Sequence, residues 1–146
     1  MQTLVVGVGN RSRGDDSAGP RVVDAVQARL AHVATYLAHG DLSDLVMRWD
    51  PEQHVIVVDA MVSGRPPGSI VEVNAVEEHL PIGSGILSSH GVGLAEAVEL
   101  ARVLDRLPAR LTIFAVEAER FEHFGEIGAD MTTAIDEVVD RIEALI

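Results

Sequence analysis

Residues 54–59 read HVIVVD, and this stretch decides the fold class of the chain. The run from Val55 to Val58 is apolar without alternation, which is the pattern of a strand covered on both faces in a parallel sheet. Asp59 follows it, and a carboxylate in this position is costly to bury unless it meets a cation, a metal ion or several hydrogen-bond donors. The stretch therefore predicts an α/β fold and marks Asp59 as a candidate functional residue.

Strands and helices alternate on both sides of this stretch. Four further strands are predicted, at Leu4–Val6, Ala34–Leu37, Ser69–Asn74 and Leu111–Val116. Apolar stripes at helical spacing separate them, at Val22–Leu30, Leu42–Trp49, Leu94–Ala101 and Met131–Leu145. Ser69–Asn74 alternates in polarity, as an edge strand does. The pattern predicts a three-layer αβα sandwich with a mostly parallel, twisted central sheet, in which functional sites gather at the carboxyl ends of the strands.

Composition limits the class of protein. The chain has 146 residues, is 47% apolar and contains no cysteine, so we expect a single domain spanning 1–146 whose metal ligands, if any, are His, Asp, Glu or water. The net charge of −12 opposes binding to nucleic acid. The absence of cysteine fits a reducing cytoplasm, so we expect a cytoplasmic protein. We also expect an unprocessed N-terminus and no membrane insertion, because the start lacks a basic leader and no apolar stretch approaches about 18 residues.

The segment GVGNRSRGDDSAGP, residues 7–20, begins like a dinucleotide-binding loop but departs from that motif. Ser12 stands where the third glycine of G-x-G-x-x-G is required, and Asp15 and Asp16 bring carboxylates to the place where amides would hold a pyrophosphate. We therefore predict a loop that presents carboxylates and binds no nucleotide. Asp15, Asp16 or Ser17 would also make a good N-cap, so we expect one aspartate to cap the helix and the other to be functional.

His90 lies in a small-residue loop before the third predicted helix. Asp16, Asp59 and His90 belong to loops at one sheet edge, and an O,O,N set of this kind suits a divalent metal ion or acid–base chemistry. Structural alternatives stay open: a loop histidine is often merely solvated, and Asp59 could accept hydrogen bonds from the amides of residues 61–64. His39, after the second predicted strand, is a reserve candidate.

Three blocks of the sequence together resemble the hydrogenase maturation endopeptidases. They are Gly7–Pro20, with its Gly-Val-Gly-Asn and Gly-Asp-Asp-Ser-Ala-Gly-Pro elements, Val58-Asp59-Ala60 at a strand end, and Ser89-His90 with Gly93-Leu94 behind it. The first block is specific, whereas the other two gain weight only beside it. The resemblance runs from Leu4 to the last predicted helix.

The resemblance implies an aspartic-type endopeptidase that removes the C-terminal extension of a nickel–iron hydrogenase large-subunit precursor after nickel insertion. It implies a cleft in which Asp16, Asp59 and His90 meet a metal ion, with their catalytic roles unassigned. Nickel would be recognised in the substrate, and cadmium or zinc would substitute for it in vitro. The precursor is the implied partner.

Some residues depart from the family pattern. Residues 11–13 read Arg-Ser-Arg where apolar residues are more usual, Gly40-Asp41 replaces a double glycine, and Val116–Phe121 lacks a Gly-x-x-Pro-Glu element. One alternative is a non-catalytic docking module for the nickel site of hydrogenase, which would keep the same ligands without cleavage. Another is a hydrolase like the peptidyl-tRNA hydrolases, which share the Gly-x-Gly-Asn opening but need a basic groove for RNA, so the charge of −12 argues against it.

Overall fold

The computed structural model describes residues 1–10, 17–38, 41–80, 93–118 and 127–146. Within them, five strands form one sheet in the order β2-β1-β3-β5-β4. The strands are β1 (Thr3–Val8), β2 (Ala34–Ala38), β3 (His54–Met61), β4 (Ile70–Asn74) and β5 (Arg110–Glu117). The helices are α1 (Ala18–Arg29), α2 (Leu94–Val103) and α3 (Ala129–Leu145), with a short 3₁₀ helix at Ser43–Met47.

The sheet is mostly parallel, as the sequence predicts. β2, β1, β3 and β5 run in the same direction, and β4 pairs antiparallel with β5 at one edge. The polarity alternation of Ser69–Asn74 thus correctly marks an edge strand. In the described ranges, no helix combines the length and the apolar character needed to cross a bilayer.

Helices cover both faces of the sheet because alternate side chains of each strand enter different cores. Val5, Ile56 and Phe114 pack with residues of α1 and α3 in one core. Leu4, Val57 and Ile113 pack with the 3₁₀ helix and α2 in the other core. The central strands are buried on both sides, which explains their unalternating apolar sequence and confirms the three-layer αβα architecture.

Strand β3 continues beyond the apolar run that predicts it. The sequence places Asp59 after the strand, but the strand ends at Met61 and Asp59 lies inside it. The physical reason is its neighbour: β5 extends to Glu117, and Asp59, Ala60 and Met61 pair with Ala115, Val116 and Glu117. That backbone pairing compensates for the polar side chain in the strand.

Two glycines bring α1 close to the strand ends. A Cβ atom on Gly7 would lie 2.7 Å from Val23 Cγ2, and one on Gly19 would lie 2.7 Å from the carbonyl oxygen of Val58. Both distances are shorter than a van der Waals contact between non-bonded atoms. A side chain at either position would therefore push the helix away from the strands. The first turn of α1 therefore packs directly against β1 and β3 next to Asp59.

Serine, not aspartate, occupies the N-cap position of α1. The helix begins at Ala18, and Ser17 stands before it with its hydroxyl accepting a hydrogen bond from Arg21 Nε at 2.8 Å. The expectation that Asp15 or Asp16 caps this helix is therefore wrong. The side chain of Ser17 makes no capping hydrogen bond to the helix, so it is the N-cap by position alone.

Candidate active site

Four parallel strands end at the same edge of the sheet. β1, β2, β3 and β5 end at Val8, Ala38, Met61 and Glu117. In the sequence, these ends lead to the segment with Asp15 and Asp16, to His39, to the β3–β4 loop and to residues 119–126. Sites in α/β sheets form at this carboxyl edge, so it is the candidate active site.

Asp59 is the one predicted site residue that the structure describes. Its side chain is 2% exposed, and Oδ1 accepts a hydrogen bond from the backbone amide of Ala60 at 2.8 Å. It lies on the same face of β3 as Val55 and Val57, because side chains alternate along a strand. That face is the one covered by α2, and α2 follows the segment that carries His90 in the sequence.

The other predicted site residues lie outside the described residues. These are Asp15, Asp16, His39 and His90. Within the described ranges, no three His, Asp or Glu side chains are grouped so that they could hold a metal ion. The convergence of Asp16 and His90 on Asp59 therefore stays a prediction.

Glu117 is a second buried carboxylate at this edge, and sequence reasoning missed it. It is 2% exposed at the end of β5, and its Oε1 and Oε2 accept hydrogen bonds from the Ser63 amide at 3.1 and 2.9 Å. Ser63 Oγ also donates to Glu117 Oε1. The acceptor for this loop amide is thus Glu117, although the sequence offered Asp59 for that role. The signal was present, because Glu117 follows an apolar run just as Asp59 does.

Asp41 has a local structural contact at the end of β2. Its Oδ1 accepts a hydrogen bond from the Ser43 amide at 2.9 Å, which helps to start the 3₁₀ helix. The aspartate that departs from the family pattern in Gly40-Asp41 is therefore involved in this turn.

Two further histidines are engaged elsewhere. His54 lies at the amino end of β3, opposite the candidate site, where its Nε2 is 3.0 Å from Thr112 Oγ1. His79 is 2.8 Å from Glu99 Oε1, on the connection between β4 and α2. Neither residue lies at the carboxyl edge.

Comparisons with known proteins agree with this architecture. A family model for hydrogenase maturation proteases matches residues 21–146. The chain belongs to this family. The match begins after the block that contains Asp16, so membership rests on the rest of the chain.

Relatives of known name are similar over most of this hydrogenase maturation protease. The Hydrogenase 2 maturation protease of Escherichia coli K12 is 31% identical over 133 residues, covering 86% of this chain and 79% of the relative. The solved hydrogenase maturating endopeptidase HybD of Escherichia coli has 26% identity and a TM-score of 0.81, covering 99% of this chain and 91% of that one. The solved NiFe hydrogenase maturation protease HybD of Thermococcus kodakarensis has 20% identity and a TM-score of 0.79, covering 99% of each chain, and shows the shared fold.

Proposed function

We propose that this maturation protease removes the C-terminal extension of a nickel–iron hydrogenase large-subunit precursor once nickel has been inserted. Family membership supports a hydrolase of the endopeptidase class acting on such precursors. The observation that carries the proposal to a site is Asp59, a carboxylate buried to 2% exposure at the sheet edge where α/β sites form. The compartment we propose is the cytoplasm.

Asp59 is held in a defined direction. The Ala60 amide donates a hydrogen bond to Oδ1, and the backbone at Asp59 is paired with Ala115 of β5. A carboxylate held in this way can accept a proton from an attacking water or orient the scissile carbonyl. An aspartic-type reaction fits either role, and the chain offers no cysteine as a nucleophile.

Nickel enters this proposal as part of the substrate. Asp16 and His90 complete an O,O,N set with Asp59, which suits a divalent ion held in part by another protein because it leaves coordination positions for substrate groups. Cadmium or zinc would occupy the same set in vitro.

The test is cleavage of purified precursor with and without nickel, with casein as a second substrate. We expect cleavage only of the nickel-loaded precursor, and a loss of about 100-fold or more in Asp59→Asn, since one general acid–base group contributes 10²–10⁴-fold. Asparagine can still accept the Ala60 hydrogen bond, so the change removes the charge and keeps the shape. The control is Thr112→Val, which removes the hydrogen bond between Thr112 and His54 at the other end of the sheet. This variant should retain activity.

Paired variants decide the remaining residues. Asp16→Asn and His90→Ala should abolish cleavage, whereas Asp15→Asn and His39→Ala should not. Loss in Asp15→Asn with activity in Asp16→Asn would reverse the assignment of the two aspartates. Rapid casein digestion, or no cleavage of loaded precursor despite tight binding, would contradict the proposal, and the second result would indicate a docking module.

A further inference from the structure

The loop between β3 and β4 crosses the carboxyl end of β5. The loop comprises Val62–Ser69. It must cross β5 because β5 lies between β3 and β4 in the sheet. Backbone hydrogen bonds fasten its far end: the Gly68 amide donates to the Glu117 carbonyl at 2.9 Å, and the Glu117 amide donates to the Ser69 carbonyl at 2.8 Å. The loop is therefore a fixed part of the edge that carries Asp59.

Glu117 fastens the near end of the same loop. Both of its carboxylate oxygens bind Ser63, one of them through amide and hydroxyl together. Burying a carboxylate costs free energy unless hydrogen bonds compensate for the lost water, and here three such bonds come from one residue. The residue whose geometry they fix is Ser63.

Ser63 in turn holds Arg65. The Arg65 Nη1 donates to Ser63 Oγ at 2.7 Å, and the arginine side chain is exposed. Four other arginines of the described residues bind carboxylates, namely Arg29, Arg48, Arg102 and Arg141. Arg65 forms no ion pair with any carboxylate in the ranges that the structure describes, although the chain carries a net charge of −12.

Glu117, which holds this loop, lies close to Asp59 in the sheet. Asp59 pairs with Ala115, and Glu117 lies two residues further along β5, so their Cα atoms are about 8 Å apart from strand spacing and rise. The loop that Glu117 holds begins at Val62, directly after the end of β3. Val62, which precedes Ser63, is 46% exposed and adds an apolar surface to the charge.

We propose that Arg65 binds a carboxylate of the substrate peptide, with Ser63 and Glu117 as positioning residues that hold its guanidinium in place. The proposal rests on the proposed function and names a charged feature of its substrate: an acidic side chain of the precursor near the scissile bond, or the C-terminal carboxylate of its extension. Arginine suits this role because its planar group can bind a carboxylate through two parallel hydrogen bonds.

The test measures KM and kcat for cleavage of nickel-loaded precursor by Arg65→Gln. We expect KM to rise about 10-fold or more with little change in kcat, as befits loss of one charge-assisted contact. Glu117→Gln and Ser63→Ala should raise KM less than Arg65→Gln does, since they leave the guanidinium present but less firmly held. Arg110→Gln is the matched control at the opposite edge of the sheet and should behave like the parent.

Two altered precursors identify the source of the carboxylate. One has the acidic residues around the scissile bond changed to amides, and the other has a Gly-Ser extension that moves the C-terminal carboxylate. The parent should lose affinity for one of them, and Arg65→Gln should show no additional loss with that precursor, because the partner charge is already absent. An unchanged KM in Arg65→Gln would overturn the inference. So would losses of affinity from Arg65→Gln and from each altered precursor that simply add. In both cases a parent enzyme that cleaves the loaded precursor leaves the proposed function intact. If the parent cleaves no loaded precursor, the proposed function fails, and this inference fails with it.

Discussion

His54 is a buried imidazole in the described part of the sheet. It is 2% exposed, and burial lowers its pKa below the ordinary value, with the positive charge of Arg110 lowering it further. The neutral ring hydrogen-bonds Thr112 Oγ1. The folded protein therefore takes up a proton at this position only at a lower pH than the unfolded chain does.

This difference predicts a pH dependence of stability. Below about pH 6.5 the unfolded chain binds a proton at residue 54 before the folded protein does, so the free energy of unfolding falls as the pH drops towards the folded pKa and levels off beneath it. His54→Gln removes the titrating group and should show a smaller fall in Tm between about pH 7 and pH 5. Thermal unfolding followed by circular dichroism measures it.

The control is His32→Gln, which replaces an exposed histidine on the turn before β2. A His54→Gln protein whose Tm falls with acidification as steeply as the parent's would contradict the prediction. The comparison is made between variants because all other ionisable groups are common to them and cancel in the difference.

Asp59 and Glu117 show what sequence can predict about single residues. Both carboxylates follow apolar runs, and both are buried to 2% exposure. The run before Asp59 correctly places a buried acid near the carboxyl edge. What the sequence cannot provide is the partner: the Ser63 that Glu117 binds lies in a different loop, and only the pairing of β3 with β5 brings the two together.

Arg102 joins two elements that flank an undescribed part of the chain. From α2 it donates hydrogen bonds to the carbonyl oxygens of Ala75 at 2.7 Å, Val76 at 3.0 Å and Glu78 at 3.2 Å. It also binds Glu99, and although burial alone would raise the pKa of Glu99, hydrogen bonds from Arg102 and His79 lower it overall. The turn after β4, which leads towards residues 81–92, is thus fastened to α2.

Arg102→Lys should lower the free energy of unfolding by about 2 kcal/mol, because lysine cannot reach three carbonyls and a carboxylate in a planar arrangement. Urea unfolding measures the change. Arg141→Lys is the matched control: its ion pairs with Glu137 and Glu72 are exposed, so we expect at most about 0.5 kcal/mol. Equal losses in the two variants would show that the carbonyl contacts add nothing.

Elements were predictable where their apolar pattern was long. All five strands and three of the helices appear where the sequence places them, because each buries an apolar face in one of two cores. The stripe at Leu42–Trp49 forms a 3₁₀ helix of five residues instead of a longer helix. Strand ends were less predictable, since the last residues of β3 are set by the length of β5, a feature of the partner strand.

The charge of the whole molecule bears on which ligands it attracts. Its net charge is −12, which opposes the approach of polyanions. Together with Ser12 in place of the third glycine of the motif, this charge predicts that neither nucleotides nor nucleic acid bind.

We expect no saturable binding of NAD, FAD, ATP or transfer RNA in calorimetric titrations, even at low ionic strength, where electrostatic attraction is strongest. A dinucleotide-binding dehydrogenase serves as the positive control for the nucleotides. Micromolar binding of any nucleotide would contradict the prediction that residues 7–20 form a loop without nucleotide function. Tight binding of transfer RNA would favour a peptidyl-tRNA hydrolase-like activity.

That residues 1–146 act as one domain stays a prediction at this scale.

The strand order also determines when the sheet can form as the chain is synthesised. Every neighbouring pair of strands is separated in the sequence by a helix or another strand. In the pair formed by β3 and β5, His54 lies opposite Arg110. At about 5–20 residues per second, a ribosome completes β5 several seconds after β3. During that interval β3, the most apolar strand, has one unpaired edge and is open to aggregation or to a chaperone. Asp59 acquires its neighbour Ala115 only when β5 inserts, so a nascent chain cannot assemble this edge before Arg110–Glu117 has been made.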